Sequence, residues 1–222
     1  MANREVYSWI AADNAAIAAL QTYVGAATLK LNGTLGRFEN NHFGPVVLNK
    51  IARTVTLTSV VDLSGVNVTI SGFQDGAPVS QTIAGPDSNT VESTALFNII
   101  TSVTTNGAVT SMSVGTGQSG QTNWYLFDAQ ASVANLALQG VVTGTVSYTW
   151  QVTLDVPNNA GTNPPATVFA PAAFNPITLM TSAATTLLGS YTSPFKYCNF
   201  LINSSSGAAT ATFTILQQGL HS

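Results

Sequence analysis

The chain has 222 residues, of which 45% are hydrophobic and only 7% charged. That is length enough for one large β domain or two ordinary ones, with far less charge than the roughly 25% of a typical soluble domain. The formal net charge is −3, and the cations are Arg4, Lys30, Arg37, Lys50 and Arg53, then none until Lys196, so the clustered cations that displace phosphate counterions are missing and nucleic acid is excluded as an expected partner.

The segment 8–24, SWIAADNAAIAALQTYV, reads either as a short helix or as an extended arm. Ser8 is a fair N-cap, Ile10, Ile17, Leu20 and Val24 lie roughly on one helical face, and the alanines favour helix. From Thr28 the pattern becomes β. TLKLNGTL (28–35) carries Asn32-Gly33, a hairpin pair, and 36–49 reads as loop. TVTLTSVV (54–61) alternates, with Val55, Leu57 and Val61 opposite Thr54, Thr56 and Thr58. DLSG is a turn, and VNVTISGF places Val66, Val68 and Ile70 on one face. QDG (74–76) turns the chain into APVSQTIAG, with Val79 and Ile83 inward. After a turn at GPDSN (85–89), TVESTALFNIITSVTT supplies one or two strands, and Asn106-Gly107 signals a further hairpin into AVTSMSVGT. Short strands at this spacing predict an antiparallel sandwich.

GTGQSGQTN (115–123) reads as a linker. The clearest strand follows: Val142, Val146, Tyr148, Trp150, Val152 and Leu154 share one parity, while the other is neutral and rich in hydroxyls. Residues 157–176 form a long Pro- and Asn-rich loop, of a length usually functional or ordered by a neighbour. FKYCNFLIN and ATATFTILQ read as a hairpin around the turn SSSG, the first strand apolar on both faces and therefore central. The expected fold is all-β, an antiparallel β-sandwich of jelly-roll or Ig-like kind. It comprises an N-terminal arm or short helix (1–27), a first β domain (28–118) and a second β-sandwich domain (119–222).

Reactive groups are sparse. His42 and His221 lie far apart, no nucleophile-elbow or phosphate-loop motif occurs, and GTGQSG has no cation beside it. Asp62, Asp75 and Asp87 sit in turns, where Asp caps the local backbone; a calcium site built from them is the alternative. Cys198, in FKYCNFLI, reads as a buried structural thiol. Trp124, Tyr125 and Trp150 are candidates for a sugar-binding platform, although Trp150 follows the core parity of its strand. No catalytic residue, cofactor or metal is expected. The start lacks an apolar signal region and no run of about 18 apolar residues occurs, so synthesis in a cytoplasm and no membrane span are expected.

Residues 53–117, RTVTLTSVVDLSGVNVTISGFQDGAPVSQTIAGPDSNTVESTALFNIITSVTTNGAVTSMSVGTG, resemble a recurring module of tailed-bacteriophage virion proteins. The matching features are an Arg-led strand, an S-G turn, a V-T-I-x-G strand, a D-G turn, a T-V strand with a Phe, an I-x-S-V-T strand and a closing V-G-T. GTVSYTWQVTLDVP, the Pro-rich loop and NFLINSSSGAATATFTILQQG resemble the β domain that usually follows it. The N-terminal segment has no counterpart in that pattern. The resemblance implies a structural, non-enzymatic virion protein, first of all a capsid decoration or cement protein bridging capsomers. A head–tail junction or tail component is the alternative, and a carbohydrate-binding β-sandwich the reading from another class. The expected location is the virion, first of all the capsid surface, with head–tail junction and tail also represented among such modules. The partners would be the major capsid protein or other virion proteins, and copies of the chain itself as a trimer or dimer. The segments expected to make those contacts are the arm with Arg4 and Trp9, the loop with Arg37, Phe38, His42 and Phe43, and the Pro-rich loop with Phe169 and Phe174.

Overall fold

The computed structural model describes residues 3–39, 42–48, 50–127, 136–153, 177–191 and 196–217. Among them the chain is all-β without a helix, and its strands pair antiparallel. It divides into two units, Ala12–Gly120, and Met1–Ala11 together with Gln121–Ser222. The strand β1 (Asn3–Trp9) therefore belongs with the C-terminal half of the sequence.

The helix weighed for 8–24 does not form. β1 covers its start, and β2 (Ala18–Tyr23) its end. Alanine favours helix only by tenths of a kcal/mol per residue, which strand pairing outweighs: β1 is paired along its whole length, from Asn3↔Gln217 to Trp9↔Ala211, and β2 pairs with β12 from Ala18↔Val114 to Tyr23↔Val109.

In the Ala12–Gly120 unit the chain continues through β3 (Ala27–Thr28), β4 (Phe38–Glu39), β5 (His42–Phe43), β6 (Val46–Val47) and β7 (Ile51–Ser59). It then forms β8 (Asn67–Gln74), β9 (Ala77–Ala84), β10 (Thr90–Glu92), β11 (Ile99–Thr105) and β12 (Val109–Thr122). One sheet has the order β10-β7-β12 with β2 on β12; the other has the order β3-β11-β8-β9 with β6 on β11. Both sheets send residues into one core, including Val55, Leu57 and Met112 from the first and Val68, Ile70 and Val103 from the second. That is a β-sandwich.

Three turn signals have different outcomes. Asp75 (φ 51) and Gly76 (φ 86) both adopt the left-handed region that a two-residue type I′ turn demands, and they join β8 to β9 in register from Gln74↔Ala77 to Asn67↔Ala84. Asn32-Gly33 makes no hairpin: Asn32 instead accepts the Ala19 N–H at 3.1 Å, and the Gly33 N–H donates to the Ile17 carbonyl at 3.0 Å. Asn106-Gly107 connects β11 to β12, strands of different sheets. The segment 115–123 is mostly strand, the second half of β12, rather than an irregular linker, although the division between the two units does fall within it, between Gly120 and Gln121. Its glycines are packing devices, because a Cβ on Gly115 would lie 2.1 Å from the Asp13 carbonyl oxygen. β7 is buried on both faces as a central strand; Thr54 and Thr56 are inside, while Val61 lies beyond its end and is exposed.

The other unit contains β13 (Tyr125–Leu126), β14 (Leu136–Thr153), β15 (Ile177–Ala183), β16 (Leu187–Tyr191) and β17 (Tyr197–Gln217). SSSG is not a hairpin turn. β17 runs through it as one 21-residue strand and pairs along β14 from Leu136↔Gln217 to Thr153↔Tyr197. The register slips at Thr143/Thr145 and again at Ser147/Tyr148, so β17 bulges against β14 there. Gly144 (φ 79) and Gly207 (φ 60) supply the left-handed backbone that the bulge requires. The ribbon folds back on itself at this point. Phe213 from one half stacks on Phe200 from the other with centroids 4.3 Å apart, and Tyr148 meets Phe213 edge-on at 5.2 Å. Trp150 stacks on Phe200 at 4.3 Å, closing an aromatic core. Val146, Tyr148, Trp150 and Val152 are buried as their parity predicts, Val142 is half-buried, and Leu154 lies outside the described residues; on the other parity Thr149 and Thr153 are buried as well, so that face of β14 is not open along this stretch.

Candidate docking face

Four strands in the order β1–β17–β14–β16 form a regular antiparallel patch. Cross-strand register places Arg4, Leu216, Ala137 and Ser190 in one row, and Val6, Thr214, Gln139 and Leu188 in the next. Ser8, Thr212 and Val141 make a third. Side chains alternate across a sheet, so these rows share one face. The opposite parity, with Tyr7, Trp9, Leu138, Ala211, Phe213 and Ile215, is buried.

The open face is uncharged apart from Arg4. It mixes hydroxyls with exposed aliphatic groups: Leu188 is 74% exposed, Val141 40%, Leu216 38% and Val6 37%. Alternation in VSYTWQVT points to one neutral face, but it does not reveal the extension of β14 back to Leu136 or the unbroken run of β17. The signal for the latter is the alternation of ATATFTIL (209–216), which continues without a turn residue.

The expected contact residues are not gathered at one place. Arg4 is exposed on this face, whereas Trp9 points the other way and is 1% exposed, a core residue that anchors β1. Arg37 and Phe38 are exposed in the other unit, Phe38 at 60%. The backbone pairs Phe38 with Phe43 and Glu39 with His42 across β4 and β5. Phe169 and Phe174 lie outside the described residues.

A polar cluster in the Ala12–Gly120 unit ties three strands together. Arg53 is buried and donates from Nη2 to the Gly117 carbonyl at 2.7 Å. Glu92 accepts the Thr54 hydroxyl and the Gln118 N–H, the latter at 3.1 Å. Desolvation lowers the Arg53 pKa to about 10, and the Glu92 carboxylate opposes the shift. Gly117 leaves room for the cluster, since a Cβ there would run into Thr54 and Glu92. The arrangement pins β7, β10 and β12, with Arg53 buried and Glu92 at the surface.

Among the described residues no group of three His, Cys, Asp or Glu side chains could hold a metal. The three turn aspartates are used locally. Asp62 accepts the Ser64 N–H, which lowers its pKa; Asp87 pairs with it through the backbone. Asp75 accepts from Asn98 at 3.1 Å at the tip of the β8–β9 hairpin, where burial pushes its pKa up to about 6. Cys198 is buried, and burial pushes its thiol pKa up, away from a nucleophile. Trp150 is 2% exposed and stacked inside, so it offers no platform to a sugar.

No family model matches the chain, and no curated protein matches it. Among solved structures it is similar to a chain in the structure of infectious bursal disease virus, Gt strain, at 9% identity, with a TM-score of 0.19 over 99% of this chain and 72% of that one. An overlap that small relates neither the folds nor the roles of the two proteins.

Proposed function

We propose that this chain is a structural, non-enzymatic protein of a tailed-phage virion, held on the capsid surface as a decoration or cement protein in contact with the major capsid protein. The observation that carries the reading is the four-stranded outer face, which is broad, regular and neutral but for Arg4. The resemblance of residues 53–117 to a virion module supplies the setting. Such a face binds by burial. Apolar area removed from water contributes about 25 cal/mol per Å² before association costs, and hydroxyl and amide groups are far less costly to desolvate than charges. The exposed aliphatic groups at Val6, Val141, Leu188 and Leu216 supply apolar area, and the threonines and serines between them supply hydrogen bonds.

Immunogold electron microscopy of purified virions tests this reading. Label spread over the head is expected. Label confined to the tail or portal vertex overturns the cement role, and unlabelled particles overturn the virion assignment. On particles stripped of the protein, Leu188→Lys together with Val6→Lys is expected to abolish rebinding while leaving the fold intact.

A further inference from the structure

β9 ends the order β3-β11-β8-β9 and, among the described residues, has no strand on its outer side. It is eight residues long, APVSQTIA, pairs with β8 without a bulge, and carries no charge. Exposed edges of this kind are templates for further pairing, and proteins usually blunt them with lysines, bulges or covering loops. Neither lysine nor bulge is present along β9. The segment after β10 reaches it through the Gln81 side chain, which accepts the Ala95 N–H at 2.7 Å and donates to the Thr94 hydroxyl oxygen at 2.9 Å, and among the described residues no strand pairs with the outward backbone groups of β9.

The hairpin geometry fixes which backbone groups point outward. A two-residue turn makes its flanking pair, Gln74↔Ala77, a hydrogen-bonded one, so alternate pairs beyond it are not bonded. β8 agrees: the Phe73 carbonyl accepts from Asn98, and the Asn67 carbonyl from Asn106, both away from β9. Their partners Pro78 and Ala84, and Ser80 and Thr82 between them, therefore aim their backbone groups at the open side. Pro78 has no N–H to strand there, as suits an edge.

We infer that β9 pairs antiparallel with β9 of a second copy of this chain, about a two-fold axis at Gln81. The sequence is self-complementary in that register. Ser80 lies opposite the second copy's Thr82, Val79 opposite its Ile83, Pro78 opposite its Ala84, and Gln81 opposite itself. The outward N–H and C=O groups of Ser80 meet those of Thr82, and the Ala84 N–H meets the Pro78 carbonyl. Side chains match by face as well. On the outer face Ser71 and Ser80 already bond at 3.2 Å, and Thr69 and Thr82 at 2.8 Å; the new pair joins both into one hydroxyl ladder across four strands. The inner parity is Val79, Gln81 and Ile83. Val79 and Ile83 pack against the core of their own sandwich and meet the second copy's Ile83 and Val79 on either side of the axis, while at the axis each Gln81 side chain stays bonded to Thr94 and Ala95 of its own chain. A neutral edge has no like charges to bring together. The contact is isologous and closed, so it stops at a dimer.

Sedimentation of the full chain from about 1 µM to 1 mM tests the pairing. A monomer–dimer equilibrium is expected. Ser80→Pro removes an outward N–H on each side of the axis and leaves the bonds to β8 intact; it is expected to weaken the dimer about tenfold or more. Thr82→Lys, an exposed change that sets a charge on the edge, is expected to do the same and decides the matter should Ser80→Pro fail to fold. Gln81→Cys places two thiols in a non-hydrogen-bonded antiparallel pair, about 4.5 Å apart at Cα, and is expected to yield a disulfide-linked dimer under mild oxidation. The native Cys198 is buried and stays out of that reaction. A chain that stays monomeric throughout, a dimer indifferent to both edge variants, or a dimer of the Gln81→Cys variant that does not cross-link overturns the inference. These results are independent of the virion label, so either reading can fail alone.

Discussion

The fold-back of the β14–β17 ribbon makes a sharp energetic prediction. If β17 ran straight, Phe200 and Phe213 would lie about 43 Å apart at roughly 3.3 Å per residue. They stack instead, with centroids 4.3 Å apart and planes 27° from parallel. Phe200→Leu and Phe213→Leu each remove a buried ring while keeping apolar volume, and each is expected to cost about 1 kcal/mol or somewhat more. The double variant should depart from additivity by about 0.5–1.5 kcal/mol, the worth of a stacked aromatic pair. Urea unfolding followed by tryptophan fluorescence reads this unit selectively, because Trp9, Trp124 and Trp150 all belong to it. Effects that add within about 0.3 kcal/mol would mean the rings do not touch, and the bend at Gly144 and Gly207 would then be wrong.

The bend itself is testable through its glycines. Gly144→Ala is expected to cost about 2 kcal/mol, because it adds left-handed strain and sets a Cβ 3.1 Å from Ala209 Cα. Gly207→Ala faces open space and should cost only the strain, about 1 kcal/mol. Both are read as shifts in urea midpoint. Asp75 should make stability depend on pH. Its folded-state pKa is raised to about 6 by burial, so the folded chain holds the proton more tightly than the unfolded one. That stability is present below the ordinary carboxylate pKa of about 4 and is lost as pH rises through about 6. Asp75→Asn, which tolerates the same backbone and keeps an acceptor, should raise the melting temperature at pH 7.5 and change it little at pH 4. Glu92→Ala removes the carboxylate near the buried Arg53 guanidinium and the acceptor for Thr54 and Gln118, and is expected to cost about 1–3 kcal/mol in thermal unfolding; an unchanged midpoint would deny the cluster its structural role.

Much of the β architecture was legible in the sequence because alternation is a local signal. Val68 and Ile70 in β8, and Val146, Tyr148, Trp150 and Val152 in β14, fall on the buried side that their parity predicts. Asp75-Gly76 is equally local, since a type I′ turn needs left-handed backbone that these two residues supply cheaply. The misreadings share a different cause. Asn32-Gly33, the GTGQSG run and SSSG carry turn-forming residues, yet the first packs against the segment around Ile17 and the other two are strand. Glycine and serine are permissive rather than directive: they allow a turn, a bulge or a close backbone approach, and long-range partners choose among them. The helix weighed for 8–24 went the same way, its propensity overridden at Ser8 and Trp9 by β17, about two hundred residues further along the chain, and at Ala18–Tyr23 by β12.

The same reasoning explains why the candidate surfaces were harder to see than the core. A docking residue is recognised by where it stands, and standing depends on register between distant strands. Val6, Leu188 and Leu216 are unremarked in sequence; they become one face only because β1, β17, β14 and β16 pair as they do. Trp9 illustrates the converse. A tryptophan in a short N-terminal segment suggests an anchor for a neighbour, yet Trp9 is buried with Tyr7, so it anchors its own strand while Arg4, Val6 and Ser8 face out. The scarcity of charge has its clearest consequence at β9: an edge strand without charge leaves Ser80, Thr82 and Ala84 with backbone groups that a matching strand can take up, and β9 of a second copy is such a strand.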